Sequence, residues 1–271
     1  MRINPAHRAL IVPDRLGAVI AAGTEKIRSG YGNGDAILVA PRHRVFAVAD
    51  ATERFPTASR GLLTRLADQL DRHGPPASAP QWLNLINQVY AGQHYNHKTT
   101  LSCIALKRKA RGLTLFVIHG GDSHVILFNR ASNTIEYTSS PDMRFAGRFQ
   151  ELLRVGELQL ERQPYLLLLA SDGLSDLLHL AGQSLLEFIP SNLIPPHHLP
   201  AAVARILAHL PDRAEHDDLA LLALDPFAYR LLRRPPCILG GTSALEETSF
   251  QKDLRAGRLP DQWLSAEDES E

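Results

Sequence analysis

The order in which predicted strands and helices follow one another is the feature that constrains the fold of this chain most. Runs of β-branched and aliphatic residues between turn residues predict strands, and these runs form groups separated by pairs of predicted helices. Short links within the groups favour antiparallel hairpins. Strand groups separated by helix pairs indicate an α+β sandwich rather than a doubly wound parallel sheet. The predicted strands span residues 36–40, 44–49, 101–107, 113–119, 124–129, 134–138, 165–170 and 219–224.

Two pairs of amphipathic helices are predicted between the strand groups. The first pair spans residues 57–72 and 78–90, and both members carry apolar residues at helical spacing. The turn residues Gly74-Pro75-Pro76 end the first helix. The second pair spans residues 174–189 and 200–210, with proline in the first turn of the latter. These pairs divide the strands into the groups on which the α+β assignment depends.

The bulk composition argues against several classes of function. The 271 residues include 29 basic and 29 acidic side chains, so the zero net charge predicts neither a nucleic-acid partner nor an acidic substrate. Cys103 and Cys237 have neither zinc-ligand spacing nor a disulfide framework, and we therefore expect a cytoplasmic location. The apolar run 16–22 is too short to span a bilayer, so we expect no membrane partner.

The pattern of strands and helices weakens after Asp225. Pro226, Arg233-Arg234-Pro235-Pro236 and Gly240-Gly241 interrupt any long element, and residues 265–271 are acidic. We therefore predict a folded domain over residues 1–226 and an appended, partly disordered C-terminal tail over residues 227–271.

Five aspartates stand next to the ends of predicted strands. Asp35 precedes the first strand and Asp50 follows the second, while Asp122 and Asp172 follow two later strands and Asp217 precedes the last. Strands that alternate in direction bring all five side chains to one edge of the sandwich. Carboxylates held so close repel one another unless cations lie between them. All-oxygen ligands suit Mg²⁺ or Mn²⁺, so the pattern predicts a site for divalent cations.

Taken singly, each aspartate also has an ordinary structural explanation. Asp50 is placed to cap the following helix, and Asp172 stands in a Ser-Asp-Gly sequence typical of turns. Asp217-Asp218 is compatible with a solvated loop. Their shared position at corresponding strand ends favours the metal site over five unrelated turns and caps.

The ordered motifs around these aspartates resemble those of the PPM (type 2C) protein serine/threonine phosphatases, in the form of a divergent bacterial-type member. The resemblance extends over residues 17–225, and residues 121–123 and 169–174 carry its most specific parts. The motifs are Asn33-Gly34-Asp35, Val45-Phe46-Ala47-Val48-Ala49-Asp50, Thr99-Thr100, Gly121-Asp122-Ser123, Leu169-Ala170-Ser171-Asp172-Gly173-Leu174 and His216-Asp217-Asp218.

This resemblance implies a four-layer α-β-β-α sandwich, in which two central antiparallel sheets are flanked by helix pairs. It implies that Asp50 bridges two Mg²⁺ or Mn²⁺ ions. Asp172 and Asp217 would complete the coordination of one ion, and the carbonyl of Ala51 would serve the other. Asp122 matches a residue that binds a third, weaker ion in bacterial members of the family.

The resemblance also implies the chemistry. A water that bridges the two cations attacks phosphorus in line, without a covalent enzyme intermediate, so no side chain acts as the nucleophile. We expect Asp35 among the metal ligands and Arg28 as the residue that binds phosphate. The expected substrates are phosphoserine and phosphothreonine in proteins, and we expect the protein to be a monomer.

Several positions depart from the PPM pattern. Ala51 replaces the glycine that follows the bridging aspartate, and Gly34 replaces an acidic residue of the first motif. A histidine that donates a proton to the leaving alcohol in the family has no match, and Glu53 is the candidate substitute. The flap region from Asp142 to Tyr165 is short, and Arg28 lies two residues too far from Asp35.

These departures support a rival hypothesis, in which the chain is a catalytically impaired module that acts as an interaction or sensor domain. A metal-dependent hydrolase of small phosphate esters is a third alternative. The retention of Asp50, Asp172 and Asp217 favours the phosphatase, because an inactive scaffold has no need to hold three carboxylates together.

Overall fold

Two β-sheets pack face to face in the computed structural model of the chain, with helices on both outer faces. The structure describes residues 2–3, 8–209, 215–228, 235–256 and 263–265. Within these ranges, no helix combines the length and the apolar character that a membrane span requires.

The first sheet has the strand order β1-β13-β4-β5-β6-β7-β10. All neighbours from β13 to β10 are antiparallel, and β1 joins β13 in parallel. Its strands are β1 (Arg2–Ile3), β4 (Asp35–Ala40), β5 (Val45–Asp50), β6 (Leu101–Lys109), β7 (Gly112–Gly120), β10 (Gly156–Leu160) and β13 (Cys237–Gly240).

The second sheet has the strand order β14-β2-β3-β12-β11-β8-β9. Here too the strands are antiparallel, except that β14 joins β2 in parallel at the edge. Its strands are β2 (Ala9–Val12), β3 (Leu16–Ala21), β8 (His124–Asn129), β9 (Thr134–Thr138), β11 (Tyr165–Ala170), β12 (Leu219–Leu224) and β14 (Trp263–Ser265).

Seven α-helices are found in the described part of the chain. Most of them pack an apolar stripe on a sheet, and the serine and glutamate of a capping box at residues 184 and 187 begin α5. The helices are α1 (Thr24–Ser29), α2 (Ala58–His73), α3 (Ala79–Ala91), α4 (Gly173–Ala181), α5 (Leu185–Asn192), α6 (Leu199–Ala208) and α7 (Ala244–Arg255).

Three apolar layers hold the sandwich together. The middle layer lies between the two sheets and includes the buried side chains of Phe46, Ile104 and Leu167. The second joins α2 and α3 to the first sheet, and the third joins α4, α5 and α6 to the second sheet. The predicted four-layer α+β sandwich with antiparallel sheets is therefore confirmed.

Most predicted elements are found within two residues of their expected bounds, and β8, β9, β11 and β12 match them fully. The strands β2, β3 and β10 were not predicted. Residues 16–21 are buried at nearly every position because one face of β3 packs on the other sheet and the opposite face packs on the helix layer. They therefore lack the alternation that marks a half-buried strand. The single helix predicted over residues 174–189 is two helices, because Gly182 turns left-handed and ends α4.

The prediction of an appended tail after residue 226 is wrong for residues 235–256. Strand β13 pairs with β4 inside the first sheet, and Ile238 and Leu239 are fully buried. The proline and glycine residues in this region lie at the ends of short elements and do not end the domain. Residues 229–234, 257–262 and 266–271 of the predicted tail lie outside the described residues.

Candidate metal centre

The sheet topology brings the ends of five strands to one edge of the sandwich. Asp35 begins β4 and Asp50 ends β5, and the two residues are paired across the hairpin. Asp122 and Asp172 lie two residues beyond the ends of β7 and β11, and Asp217 lies two residues before β12. Antiparallel neighbours begin and end alternately at a given edge, so the chain returns to this edge with each carboxylate.

Three of these aspartates are close enough to share a cation. One carboxylate oxygen each from Asp50, Asp122 and Asp172 lie within 4.8 Å of one another. Burial and the neighbouring charge of Asp172 raise the pKa of Asp50 to about 8. Burial and the charge of Asp217 likewise raise the pKa of Asp172. Carboxyl groups in this arrangement favour a proton or a cation over an additional negative charge.

The backbone of Asp50 is held by the two threonines of the Thr99-Thr100 motif. The Thr99 hydroxyl and the Thr100 amide both donate to the Asp50 carbonyl, at 2.6 and 2.7 Å. The Asp50 amide donates to the Thr100 hydroxyl at 2.9 Å. The N-cap of the following helix α2 is Thr57, so Asp50 does not serve as its cap.

The loop that carries Asp122 is tied to the same threonine pair. The hydroxyls of Ser123 and Thr100 are hydrogen-bonded at 2.6 Å. On the other side of Asp122, Gly121 forms an isolated antiparallel bridge with Asp142, whose amide donates to the Gly121 carbonyl at 2.9 Å. Asp142 therefore supports the Asp122 loop from the segment matched to the PPM flap.

Asp35 is almost fully buried beside the cluster, with 1% of its surface exposed. Its Oδ2 accepts a hydrogen bond from the Ser171 hydroxyl at 2.5 Å. Among the described residues its Oδ1 has no hydrogen-bond partner. Burial and the charge of Asp50 raise its pKa well above the usual range. A buried carboxylate oxygen without a protein partner calls for a water or a cation, so this position fits a metal centre.

The cluster faces a cleft of about 460 Å³, which we call the acidic cleft. Three cationic side chains, Lys26, Arg54 and Lys98, also line it, and Lys98 Nζ lies 3.8 Å from the centroid of the Phe145 ring. The remaining lining residues are Asp50, Ala51, Thr52, Glu53, Thr99, Thr100, Asp122, Asp217 and Asp218. The cleft thus combines ligands for cations with positive charge around them.

No family model and no curated protein matches this sequence, whereas solved structures do. The PPM Ser-Thr phosphatase MsPP from Mycobacterium smegmatis, in complex with cacodylate, is 18% identical with a TM-score of 0.54. The catalytic domain of the serine/threonine protein phosphatase PstP, in complex with two manganese ions, is 17% identical with a TM-score of 0.52. Both matches cover 78% of this chain and 97% of the other chain. RsbX in complex with magnesium is 13% identical over 78% and 94% of the two chains, with a TM-score of 0.50.

This chain has the PPM phosphatase fold. The architecture implied by the sequence resemblance is thereby confirmed.

The two consecutive aspartates of the last PPM motif have different surroundings. The Asp217 side chain is about half exposed at the rim of the acidic cleft, and its Oδ1 accepts from the Asp218 amide at 2.7 Å. Asp218 is buried, and its carboxylate accepts from the amides of Gly23 and Gly34 at 2.8 and 2.7 Å. Burial raises the pKa of Asp218 to about 6. Asp218 therefore fixes the loops around the site, a role that the sequence analysis missed.

The two main departures from the PPM pattern, Gly34 and Ala51, lie against each other. A Cβ added to Gly34 would lie only 2.2 Å from the Ala51 carbonyl oxygen. The Ala51 amide donates to the Gly34 carbonyl at 3.1 Å. Ala51 is not among the described non-glycine residues with positive φ, so its backbone needs no glycine. Any side chain at position 34 is therefore incompatible with this approach, so the acidic residue of the PPM pattern cannot be accommodated here without a shift of the backbone.

The residue expected to bind phosphate, Arg28, does not line the acidic cleft. It pairs on the surface with Glu215 at 3.0 Å, and both side chains are more than half exposed. Lys26 lies in the cleft instead, where it forms an ion pair with Glu53 and its Nζ is 3.7 Å from Asp217 Oδ1. Residues two apart in a helix point in nearly opposite directions, so α1 cannot present both cations to the cleft. Lys26 is therefore the cationic residue of α1 that lines the acidic cleft, whereas Arg28 lies outside it.

Proposed function

We propose that this protein is a metal-dependent phosphatase that removes phosphate from phosphoserine and phosphothreonine in protein substrates. The observation that carries the proposal is the approach of Asp50, Asp122 and Asp172 within 4.8 Å, at one edge of a PPM-fold sandwich. We also propose that the protein acts as a cytoplasmic monomer. The proposed location rests on the sequence, whose two cysteines offer no disulfide framework.

The candidate ligands suit Mg²⁺ or Mn²⁺. Asp50, Asp122 and Asp172 offer only oxygen atoms, and Asp217 and the partnerless oxygen of Asp35 lie beside them. We propose that this set holds two ions and that Asp122 contributes to a third. The solved PstP and RsbX structures, which contain manganese and magnesium, support this choice of cation.

Divalent cations in such a site supply a water of lowered pKa and neutralise charge on the phosphoryl oxygens. The residues of the chain itself position and attract the substrate. Thr99 and Thr100 fix the backbone of Asp50, which would limit the reorganisation that its carboxylate needs in order to hold a cation. Lys26 places positive charge at the cleft, where it attracts the phosphate group. Arg54 and Lys98 also line this cleft and would contact the phosphate-bearing segment of the substrate.

Glu53 is the candidate proton donor to the leaving alcohol. It lines the acidic cleft, and about half of its side chain is exposed, so a substrate oxygen has access to it. Its contact with Lys26 holds the carboxyl group near the proposed phosphate position. Glu53 would act in its protonated form: its proton would pass to the leaving alkoxide oxygen as the phosphorus–oxygen bond breaks, and solvent would then restore it.

The alternative of a catalytically impaired interaction or sensor module rests on a specific observation. Glycine at position 34 lies so close to the Ala51 carbonyl that no side chain fits there. The chain therefore lacks the acidic side chain that the PPM pattern places beside the metals. Loss of that carboxylate weakens the negative potential that holds the cations. The alternative therefore predicts weak metal binding without turnover.

One assay separates these functions. The purified protein is mixed with p-nitrophenyl phosphate or a phosphothreonine peptide, in a series of Mn²⁺ concentrations and in excess EDTA, with Asp50→Asn as the control. We expect both substrates to be hydrolysed with Mn²⁺ and neither with EDTA or in the variant. Turnover of the small ester alone would indicate a hydrolase of small phosphate esters. Metal binding without turnover would support the impaired module, and full activity in EDTA would exclude the metal mechanism.

A further inference from the structure

We propose that the segment 237–255, comprising β13 and α7 and here called the C-terminal segment, positions Asp35 for metal binding. Thr242 and Glu247 are its positioning residues. The inference rests on the proposed function, because it assigns a task to this segment within the same metal centre. This segment lies within residues 227–271, for which the sequence predicts a tail outside the folded domain.

The C-terminal segment is hydrogen-bonded to the loop that leads into Asp35. The Thr242 amide donates to the Asn33 carbonyl at 2.9 Å, and the Asn33 amide donates to the Thr242 hydroxyl at 3.1 Å. The Gly241 amide donates to the carbonyl of Asp35 itself at 2.6 Å. Residues more than 200 positions away thus fix the backbone of a candidate metal ligand.

The contact is closer than side chains would permit. A Cβ on Gly32 would lie 2.0 Å from the Thr242 carbonyl oxygen, and a Cβ on Gly240 would lie 2.3 Å from the Asp35 carbonyl oxygen. Gly240 also has a φ of +73°, in the left-handed region that favours glycine. Gly32 and Gly240 therefore allow two backbones to meet beside the candidate metal centre.

A buried charge pair fixes Thr242 in turn. The Thr242 hydroxyl donates to Glu247 Oε2 at 2.8 Å, and the same carboxylate forms an ion pair with Arg8. Only 2% of Glu247 and 8% of Arg8 is exposed, and the guanidinium of Arg8 lies 4.1 Å from the centroid of the Phe250 ring. Loss of one partner leaves an uncompensated buried charge, so this pair is strongly coupled to the local structure.

These contacts leave Asp35 with one oxygen available. Its amide donates to the Asn33 side chain at 2.8 Å, its carbonyl accepts from Gly241, and its Oδ2 accepts from Ser171. Within the described residues, Oδ1 is buried and has no partner. The C-terminal segment thus determines where that oxygen lies, without touching the cation.

The test compares Thr242→Val and Glu247→Gln with Thr248→Val in the full chain. Valine keeps the shape of threonine but removes both hydrogen bonds of the Thr242 hydroxyl. Thr248 is the matched control, since its exposed hydroxyl donates only to the Ala244 carbonyl within α7, at 2.8 Å. Val203→Ala, in the helix layer of the other sheet, controls for a general loss of stability. Mn²⁺ affinity is measured by calorimetry and Mn²⁺ activation by steady-state kinetics. Amide hydrogen exchange at residues 33–36 is measured on the metal-free protein.

We expect Thr242→Val and Glu247→Gln to weaken Mn²⁺ binding at one site at least tenfold, with kcat retained at saturating Mn²⁺. The amides of residues 33–36 should exchange at least tenfold faster in both variants, while the two controls stay within twofold of the wild type. Unchanged Mn²⁺ affinity and exchange in Thr242→Val would overturn the inference, even if Glu247→Gln does not fold. If the wild type binds no Mn²⁺, the proposed function fails, and the exchange data still decide whether the C-terminal segment fixes Asp35.

Discussion

The hydroxyl of Ser171 donates a hydrogen bond to the buried carboxylate of Asp35, with 2.5 Å between Oγ and Oδ2. Asp35 begins β4 in the first sheet, whereas Ser171 directly follows β11 in the second sheet. The Ala220 amide donates to the same serine oxygen at 2.9 Å. Because Ser171 directly precedes Asp172, this contact fixes the distance between carboxylates contributed by the two sheets.

The cluster geometry predicts different effects for its members. Residues that support a metal ligand without binding the metal typically cost about 10- to 100-fold when they are changed. Asp50→Asn should lower turnover by more than this, because the Asp50 carboxylate is close to those of both Asp122 and Asp172. Asp122→Asn and Asp217→Asn should retain activity that rises with added Mn²⁺. The measurements are kcat and Mn²⁺ affinity for each variant. Near-normal turnover of Asp50→Asn at saturating metal would contradict the assignment of its strand.

The different positions of Lys26 and Arg28 give a second prediction for phosphate binding. Lys26→Ala should raise KM for a phosphate ester about tenfold or more. A hydrogen bond to a charged group contributes about 1.5–3 kcal/mol, and its loss weakens binding by at least this factor. Arg28→Ala should stay within twofold of the wild type, since Arg28 pairs with Glu215 outside the cleft. Steady-state kinetics of the two variants test this directly. A larger effect of Arg28→Ala would restore the assignment made from the sequence.

The positions of the aspartates were predictable, whereas the directions of their neighbours were not. The segments 125–128 and Tyr165–Ala170 are uninterrupted apolar runs, so the ends of these strands and the carboxylates near them are evident in the sequence. The six-residue helix α1 is too short to show an apolar periodicity. The sequence therefore does not indicate that Lys26 points into the cleft and Arg28 points to the surface. Which of Asp217 and Asp218 is buried likewise depends on the register of the following strand.

The C-terminal segment was missed for a different reason. Glycine and proline there predict interruption, and short elements between such residues carry little periodicity of their own. The pairing of β13 with β4 and the contact of Gly240 with Asp35 are long-range, so no local pattern reveals them. Gly240, which in the sequence indicates an interruption, allows the close approach of β13 to the Asp35 carbonyl.

The raised pKa values predict a pH-dependent stability of the metal-free protein. Burial and like charge raise the pKa of Asp50 to about 8 and of Asp218 to about 6 in the folded state. Between about pH 4 and pH 8 the folded protein then binds more protons than the unfolded chain. The free energy of unfolding should fall as pH rises through this window, by up to about 1.4 kcal/mol per pH unit for each proton.

Melting temperatures in EDTA at pH 5 and pH 8 test this dependence. The metal-free protein should melt at a lower temperature at pH 8, and saturating Mn²⁺ should remove the difference by neutralising the carboxylates. Asp50→Asn should reduce the pH dependence without metal, because asparagine does not ionise. A metal-free protein that gains stability from pH 5 to pH 8 would show that the carboxylates are not packed as described.

The last prediction concerns Ala51 and Gly34, the positions that support the rival of an impaired module. The ordinary backbone of Ala51 means that Ala51→Gly relieves no strain. The substitution should destabilise the fold by about 0.4–1 kcal/mol, because glycine gains more freedom in the unfolded chain, and should leave Mn²⁺ affinity within twofold. Gly34→Ala should be worse in both respects, since its Cβ would meet the Ala51 carbonyl oxygen at 2.2 Å and displace it. Thermal unfolding and calorimetry of the two variants give the comparison. A tenfold tighter Mn²⁺ site in Ala51→Gly would mean that the natural alanine impairs metal binding, and would favour the non-catalytic module over the phosphatase.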